Sequence, residues 1–222
     1  MNRFAHRIRL ALLLAFAAPA AYGAEAKAPP AVPPEKAAKP VASVPLVNAG
    51  FESTAPGKAG SPDGWWAVQH AGPVSYTFQP DAGIKRSGER SLRVTNVGPE
   101  PFGSVYQTVQ AAPYRGRTLR LSAWLRTEGT TGNGFATGAG LKLHSARGGY
   151  ALDLIEMRQN AVHGSTDWTR YEITLKVPAE AEQIEAGLTL FGPGSVWIDD
   201  VALDMMDGER PSPPGSPIQR LR

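Results

Sequence analysis

Aromatic and polar side chains that could bind a sugar occur in segments with a two-residue period. In the segment 119–125 the apolar residues share one phase and face the core, so Trp124 has the opposite, outward phase. Arg126 shares that phase, and His144 has the outward phase of the next such segment. Flat rings suit the apolar faces of sugars, and polar neighbours suit the hydroxyl groups. The predicted ligand-binding residues are Trp124, Arg126, His144, Trp66 and Tyr106.

Burial of Trp124 is the alternative to an open binding platform. A neighbouring loop, for instance the glycine-rich segment 129–140, would then cover the ring. The same alternative applies to each of the other predicted ligand-binding residues.

Catalytic motifs are absent from the sequence, so no catalytic residue is predicted. It contains no G-x-S-x-G elbow, no H-E-x-x-H, no phosphate-binding glycine–lysine loop and no cysteine. The carboxylates worth testing as an acid–base pair are Asp153 and Glu156, for which solvated surface charge is the alternative. The sequence therefore predicts a protein that is not an enzyme.

The elements that must position these residues are short strands. Runs of period-two alternation, such as 119–125 and 171–177, are separated by turn-forming glycines and prolines. No amphipathic helix is convincing, and the segment 151–157 is interpreted as strand or loop. This pattern predicts an all-β fold, either an antiparallel sandwich or a barrel.

Five motifs in order along the chain carry a resemblance to a known family. They are Val47–Glu52 with Pro62–Trp65, Ser87–Leu92, Leu121–Arg126, Asp167–Tyr171 and Val196–Val201. Together they resemble the jelly-roll carbohydrate-binding modules that accompany xylanases and laminarinases. The resemblance implies an antiparallel jelly-roll β-sandwich of the galactose-binding-like type and carbohydrate as a partner. It also implies packing roles for Trp65, Trp168 and Trp197.

A structural calcium ion is a further implication of this resemblance. The matching positions are Glu52, one of the adjacent aspartates Asp199 and Asp200, and backbone carbonyls near Lys85 to Gly88. Oxygen ligands from separate loops suit calcium. Adjacent residues of a regular strand face opposite sides, and Asp200 is predicted to be the inward one. Alternatively, Glu52 pairs with a nearby arginine and both aspartates end a strand.

The two ends of the sequence differ in composition from its middle. Residues 1–23 have the layout of a secretory signal peptide, with a basic start, a short apolar run and small residues before a cut near Gly23. Residues 24–45 are an alanine- and proline-rich segment predicted to be a disordered linker, and 207–222 a disordered proline-rich tail. The predicted domain is 46–206. These features predict a periplasmic or secreted protein that has no membrane segment after cleavage, and an uncleaved anchor is the alternative.

Charge excludes one class of partner. The formal net charge of +3 comes from the two ends, because acidic and basic residues nearly balance between 46 and 206. A nearly neutral domain does not favour nucleic-acid binding. We therefore predict an exported, non-catalytic module that binds carbohydrate or a related small polar ligand. The alternatives are an envelope interaction module without a sugar ligand and a small jelly-roll hydrolase or lyase.

Overall fold

Alternating apolar and polar residues form strands along most of the part of the chain that the computed structural model describes. The structure describes residues 39–55, 57, 61–131, 137–158 and 160–206. The predicted signal peptide, residues 24–38 of the predicted linker and the predicted tail lie outside the described residues. The described strands are β1 Pro40–Val44, β2 Trp66–Gln69, β3 Tyr76–Asp81, β4 Ser91–Asn96, β5 Phe102–Gln110, β6 Thr118–Thr130, β7 Gly138–Arg147, β8 Tyr150–Glu156, β9 Gly164–Lys176, β10 Gln183–Phe191 and β11 Ser195–Met206.

Two antiparallel sheets stack face to face, which confirms the predicted β-sandwich. One sheet has the order β3-β4-β11-β6-β9, with β1 added beside the end of β11. The other has the order β2-β5-β10-β7-β8. We call them the six-stranded and the five-stranded sheet. A single turn of 3-10 helix, Ala112–Tyr114, connects β5 to β6.

The core lies between the two sheets, where the inward phases of the central strands meet. Leu121 and Leu125 on β6, and Leu188 and Leu190 on β10, are almost completely buried. Full burial of such side chains contributes about 1.5–3 kcal/mol each. Every second residue of the same strands faces outward, so each sheet presents one outer face.

The domain begins earlier than the sequence predicts. Residues 40–44, assigned to the linker, form β1 and pair antiparallel with β11. Val44 is 4% exposed, and the hydroxyl of Ser43 donates a hydrogen bond to Asp204 at 2.9 Å. The apolar content of this strand is too low to stand out in a proline- and alanine-rich segment, and its order depends on the edge that β11 supplies.

A bulge interrupts β11 between Asp199 and Ala202 in its pairing with β6. Asp200 has a left-handed backbone, with φ of 50°. This turn breaks the two-residue alternation, so that Asp199 is 0% exposed whereas Asp200 is exposed. The prediction that Asp200 is the inward aspartate is therefore wrong, because it assumed a regular strand.

None of the helices formed by the described residues is long and apolar enough to cross a membrane.

Candidate functional site

The predicted ligand-binding residues lie on two different faces of the sandwich. Trp124 and Arg126 lie on β6, on the outer face of the six-stranded sheet. Trp66, Tyr106 and His144 lie on β2, β5 and β7, on the outer face of the five-stranded sheet. The structure thus brings the second group together and separates it from the first. Strand phase distinguishes inward from outward, but it does not say which of two sheets a strand joins.

A row of five residues crosses the five-stranded sheet at one level. Trp66 pairs with Tyr106, Tyr106 with Gly187, Gly187 with Lys142, and Lys142 with Glu156. We call this set the Trp66–Glu156 row. Directly opposite residues on one face of a sheet have neighbouring side chains. The row therefore joins an aromatic edge to a charged edge across the glycine.

Lys142 contacts one aromatic residue, Tyr106, and one acidic residue, Glu185. Its ammonium nitrogen lies 4.2 Å from the centre of the Tyr106 ring and 3.0 Å from a carboxylate oxygen of Glu185. Burial raises the pKa of the Tyr106 hydroxyl, and the negative charge of Glu185 adds to that effect. Tyr106 therefore stays protonated at neutral pH and retains its hydroxyl donor.

A second charged cluster lies at the β8 side of the row. One carboxylate oxygen of Glu156 is hydrogen-bonded to Nε2 of His144 at 3.0 Å, and the other accepts from Nε of Arg158 at 2.8 Å. Burial opposes ionisation of Glu156, but His144 and Arg158 outweigh it and hold the pKa of this carboxyl below its usual value. Glu156 is therefore ionised and fixed in position.

The edges of this face expose apolar side chains. Trp66 is 42% exposed and Val68 is 37% exposed on β2. On β8, at the opposite edge, Leu154 is 56% exposed. The face therefore has a polar centre between two apolar edges.

Sequence reasoning missed several residues of this face, namely Glu156 as a binding residue, Arg158, Glu185 and Gly187. Glu185 has the outward phase of its strand, which is a usable signal. Its proximity to Lys142 depends on the pairing of β10 with β7. The proposed acid–base pair fails, because Asp153 pairs with the buried Ser145 whereas Glu156 pairs with Lys142, on the other side of β8.

Trp124 is not an open platform on the six-stranded sheet. The guanidinium of Arg86 lies 4.3 Å from the centre of its ring, and Arg126 pairs with Asp167 at 3.1 Å. The packing role predicted for Trp197 agrees with its 1% exposure. The Arg86 side chain lies against Trp124, and residues 132–136 of the glycine-rich segment, which was the alternative cover, lie outside the described residues.

The predicted calcium ligands lie at the seam between β11 and the loop before β4. The Asp199 carboxylate accepts hydrogen bonds from the backbone N–H groups of Arg86 and Ser87, at 2.8 and 3.1 Å. Burial raises its pKa, although these N–H donors act against it. A Cβ atom on Gly88 would overlap the carboxylate of Glu52, so the loop and Glu52 are in close contact.

Asp200 lies on the outside of this seam, where its carboxylate accepts a hydrogen bond from the hydroxyl of Ser87 at 2.7 Å. Within the described residues, no three histidine, aspartate or glutamate side chains cluster as a metal site. Backbone carbonyls, including those of the segment Lys85 to Gly88, would have to supply further oxygens.

Comparison with known proteins gives relatives of several kinds. No family model matches the chain. An uncharacterised HTH-type transcriptional regulator of Bacillus subtilis, YbfP, is 32% identical over 147 residues, which cover 62% of this chain and 48% of the regulator. The chain therefore spans about half the length of this relative.

Solved structures share the sandwich at low sequence identity. The enzymatically active domain of tailspike protein 4 from bacteriophage CBA120 has a TM-score of 0.54 at 16% identity, and covers 75% of this chain and 22% of that one. The Stig cyclase Fisc from Fischerella has a TM-score of 0.53 at 17% identity, over 76% and 99% of the two chains. The xylan-binding domain CBM22-1 of Paenibacillus barcinonensis Xyn10C has a TM-score of 0.47 at 11% identity, over 72% and 94%. The first two of these structures show that the chain shares a known β-sandwich fold.

Proposed function

We propose that this chain is a non-catalytic module that binds carbohydrate on the outer face of its five-stranded sheet. The Trp66–Glu156 row supports the proposal. Trp66 supplies an exposed ring for the apolar face of a sugar, and the neighbouring Tyr106, Lys142 and Glu185 supply hydrogen-bonding groups for hydroxyls. Concave or flat sites that combine aromatic surface with a few fixed polar groups are typical of small-ligand recognition.

The charges of this face favour an uncharged ligand. The ammonium of Lys142 is paired with Glu185, and the guanidinium of Arg158 is paired with Glu156. Each of these two cations therefore has a carboxylate within hydrogen-bonding distance. Sugar hydroxyl groups can add to such pairs without separating them, whereas an ionic ligand would have to compete with an existing partner.

Binding without catalysis agrees with the state of the carboxylates. A general acid requires a carboxyl whose pKa is raised, and Glu156 has the opposite shift. Glu185 is held by Lys142 at 3.0 Å. The similarity of part of the chain to a regulator also favours a binding role.

A glycan array probed with the folded protein tests this proposal. We expect retention of neutral oligosaccharides, and a loss of about five- to twelvefold in affinity for the variant Trp66→Ala, since removing an aromatic contact costs about 1–1.5 kcal/mol. For the neutral oligosaccharides Trp124→Ala is the matched control, because it removes the same side chain from the opposite face. The proposal is refuted if the folded protein binds no glycan on the array, or if both variants lose affinity equally.

An interaction module is the second candidate function. The observation that favours it is the exposure of Tyr150, Leu152 and Leu154 along β8, the edge strand of the same sheet. Exposed apolar edges suit contact with another protein. If neutral glycans fail to bind and Leu154→Asp abolishes a co-purifying partner, this function replaces the first.

Export and a structural calcium ion complete the proposal. A cleaved signal peptide would place the module outside the cytoplasm, which N-terminal sequencing of the mature protein tests. Glu52 and Asp199, together with carbonyls between Lys85 and Gly88, would hold the ion. A bound cation would neutralise the buried Asp199 and join β11 to the loop before β4.

A further inference from the structure

The outer face of the six-stranded sheet, opposite the proposed carbohydrate site, carries arginines stacked on tryptophans. The guanidinium of Arg93 lies 4.9 Å from the centre of the Trp197 ring, and that of Arg126 lies 6.0 Å from the same ring. The guanidinium of Arg86 lies 4.3 Å from the Trp124 ring. We call these five residues the arginine–tryptophan ladder.

Strand pairing makes the ladder continuous. Trp197 pairs with Arg93 on β4 and with Arg126 on β6. Trp124 precedes Arg126 by two residues on β6 and therefore lies on the same face. The side chain of Arg86 reaches the far ring from the loop between β3 and β4.

Stacking fixes the guanidinium groups without using their donors. A guanidinium that lies against a ring keeps its N–H bonds in its own plane, where they can bind a carboxylate or sulfate. Arg126 already pairs with Asp167. Neither Arg86 nor Arg93 forms a salt bridge with another described residue. Arg93 donates one hydrogen bond to the Ser195 hydroxyl at 3.4 Å.

A shallow concavity beside Arg93 adds further polar groups. It is lined by Thr77, Gln79, Arg93 and Thr95, and the Thr95 hydroxyl is hydrogen-bonded to that of Ser195 at 2.9 Å. These groups can donate to an oxyanion or accept from a sugar hydroxyl.

Asp81 is an acidic residue whose charge acts on Arg93. Asp81 lies on β3, and its carboxylate accepts hydrogen bonds from the Trp197 indole and from the backbone N–H groups of Gly83 and Ile84. These hydrogen bonds occupy the oxygens of the Asp81 carboxylate. Its negative charge also attracts the Arg93 guanidinium.

We propose that the arginine–tryptophan ladder is a second binding site, for an acidic polysaccharide whose carboxylate or sulfate groups bind Arg86 and Arg93. A polysaccharide fits better than a protein, because Val41 on β1 is the one exposed large apolar side chain among the described strands of this sheet. The fully buried core of a protein interface is typically more apolar than the rest of the surface. This site is independent of the row on the five-stranded sheet.

Affinity electrophoresis of the full chain tests the proposal, with polygalacturonate, dextran sulfate and neutral dextran as probes. We expect retardation by polygalacturonate, weakening by added NaCl, and about tenfold or greater loss of affinity in Arg86→Gln/Arg93→Gln, because two charge-assisted contacts are removed. Binding of dextran sulfate alone would assign the site to sulfate groups. Arg86→Gln alone, at an exposed side chain, serves if the double variant does not fold.

Arg147→Gln is the matched control, since it removes one exposed arginine from β7 on the other sheet. It should leave binding of the acidic probes within about twofold of the unmodified chain. Trp66→Ala should also leave it unchanged, so failure of the carbohydrate proposal and failure of this one are distinguishable. Lack of binding to both acidic probes, or an equal loss in the control, would overturn the ladder as a site.

Discussion

Lys142 and Tyr106 lie on strands that do not pair with each other, yet the ammonium nitrogen of Lys142 lies 4.2 Å from the centre of the Tyr106 ring. The strand between them, β10, contributes Gly187 at this level. Any larger residue there would present a side chain between the two. The contact therefore spans three strands, and it forms because the middle strand has a glycine at this level.

Gly187→Ala should weaken both the contact and the fold. A Cβ atom at this position would overlap the backbone carbonyl oxygen of Val105 and lie 2.7 Å from the Cα of Tyr106. Backbone cannot yield as a flexible side chain can, so we expect a loss of about 1–3 kcal/mol in the free energy of unfolding, measured by urea denaturation. Gly50→Ala is the control, because its nearest neighbour lies at 3.8 Å. Equal midpoints for the two variants would contradict the close packing at Gly187.

The Glu156 cluster predicts a dependence of stability on pH. The pKa of Glu156 is lower in the folded chain than the usual value of about 4.5 for a glutamate carboxyl, because its hydrogen bonds and ion pairs with His144 and Arg158 outweigh its burial. Its ionised form therefore stabilises the fold above that value, and this contribution is lost as the pH falls through the lowered pKa. Glu156→Gln should reduce the melting temperature at pH 7 and make its decline below about pH 4.5 shallower. Parallel curves for the variant and the unmodified chain would show that the cluster contributes nothing.

Calcium should stabilise the chain through Glu52 and Asp199. Chelation with EDTA is expected to lower the melting temperature, and calcium, but not magnesium, should restore it, because calcium accepts irregular sets of oxygen ligands whereas magnesium demands near-ideal octahedral geometry. Glu52→Gln should abolish the response. Asp200→Asn is the control, since that carboxylate is exposed on the other side of the bulge. Calorimetry that detects no calcium binding to the chelated protein would remove the ion from the proposal.

The N-terminal boundary of the domain can be tested by truncation. A chain starting at Lys39 retains β1, whereas one starting at Leu46 loses its pairing with β11. We expect the shorter chain to be less stable by about 2–4 kcal/mol, the sum of one buried valine and the lost strand hydrogen bonds. Identical unfolding midpoints would mean that the strand contributes little, as the linker assignment implied.

Much of the fold could be predicted from local sequence. The period-two runs around Leu121 and Leu188 give strands because alternation buries one face of each strand, and the order of motifs gives the sandwich. The sequence did not indicate β1, whose pairing partner is more than 150 residues away. It also misassigned Asp200, because a single left-handed residue reverses the phase of the strand.

For the candidate site, the sequence alone determined which side chains point outward. His144, Trp66 and Tyr106, and equally Trp124 and Arg126, have this phase because neighbouring residues of a strand must face opposite sides. Only the tertiary structure decided that the first three share one sheet and the last two the other. Strand order is set by packing and pairing between distant segments, which no local pattern records.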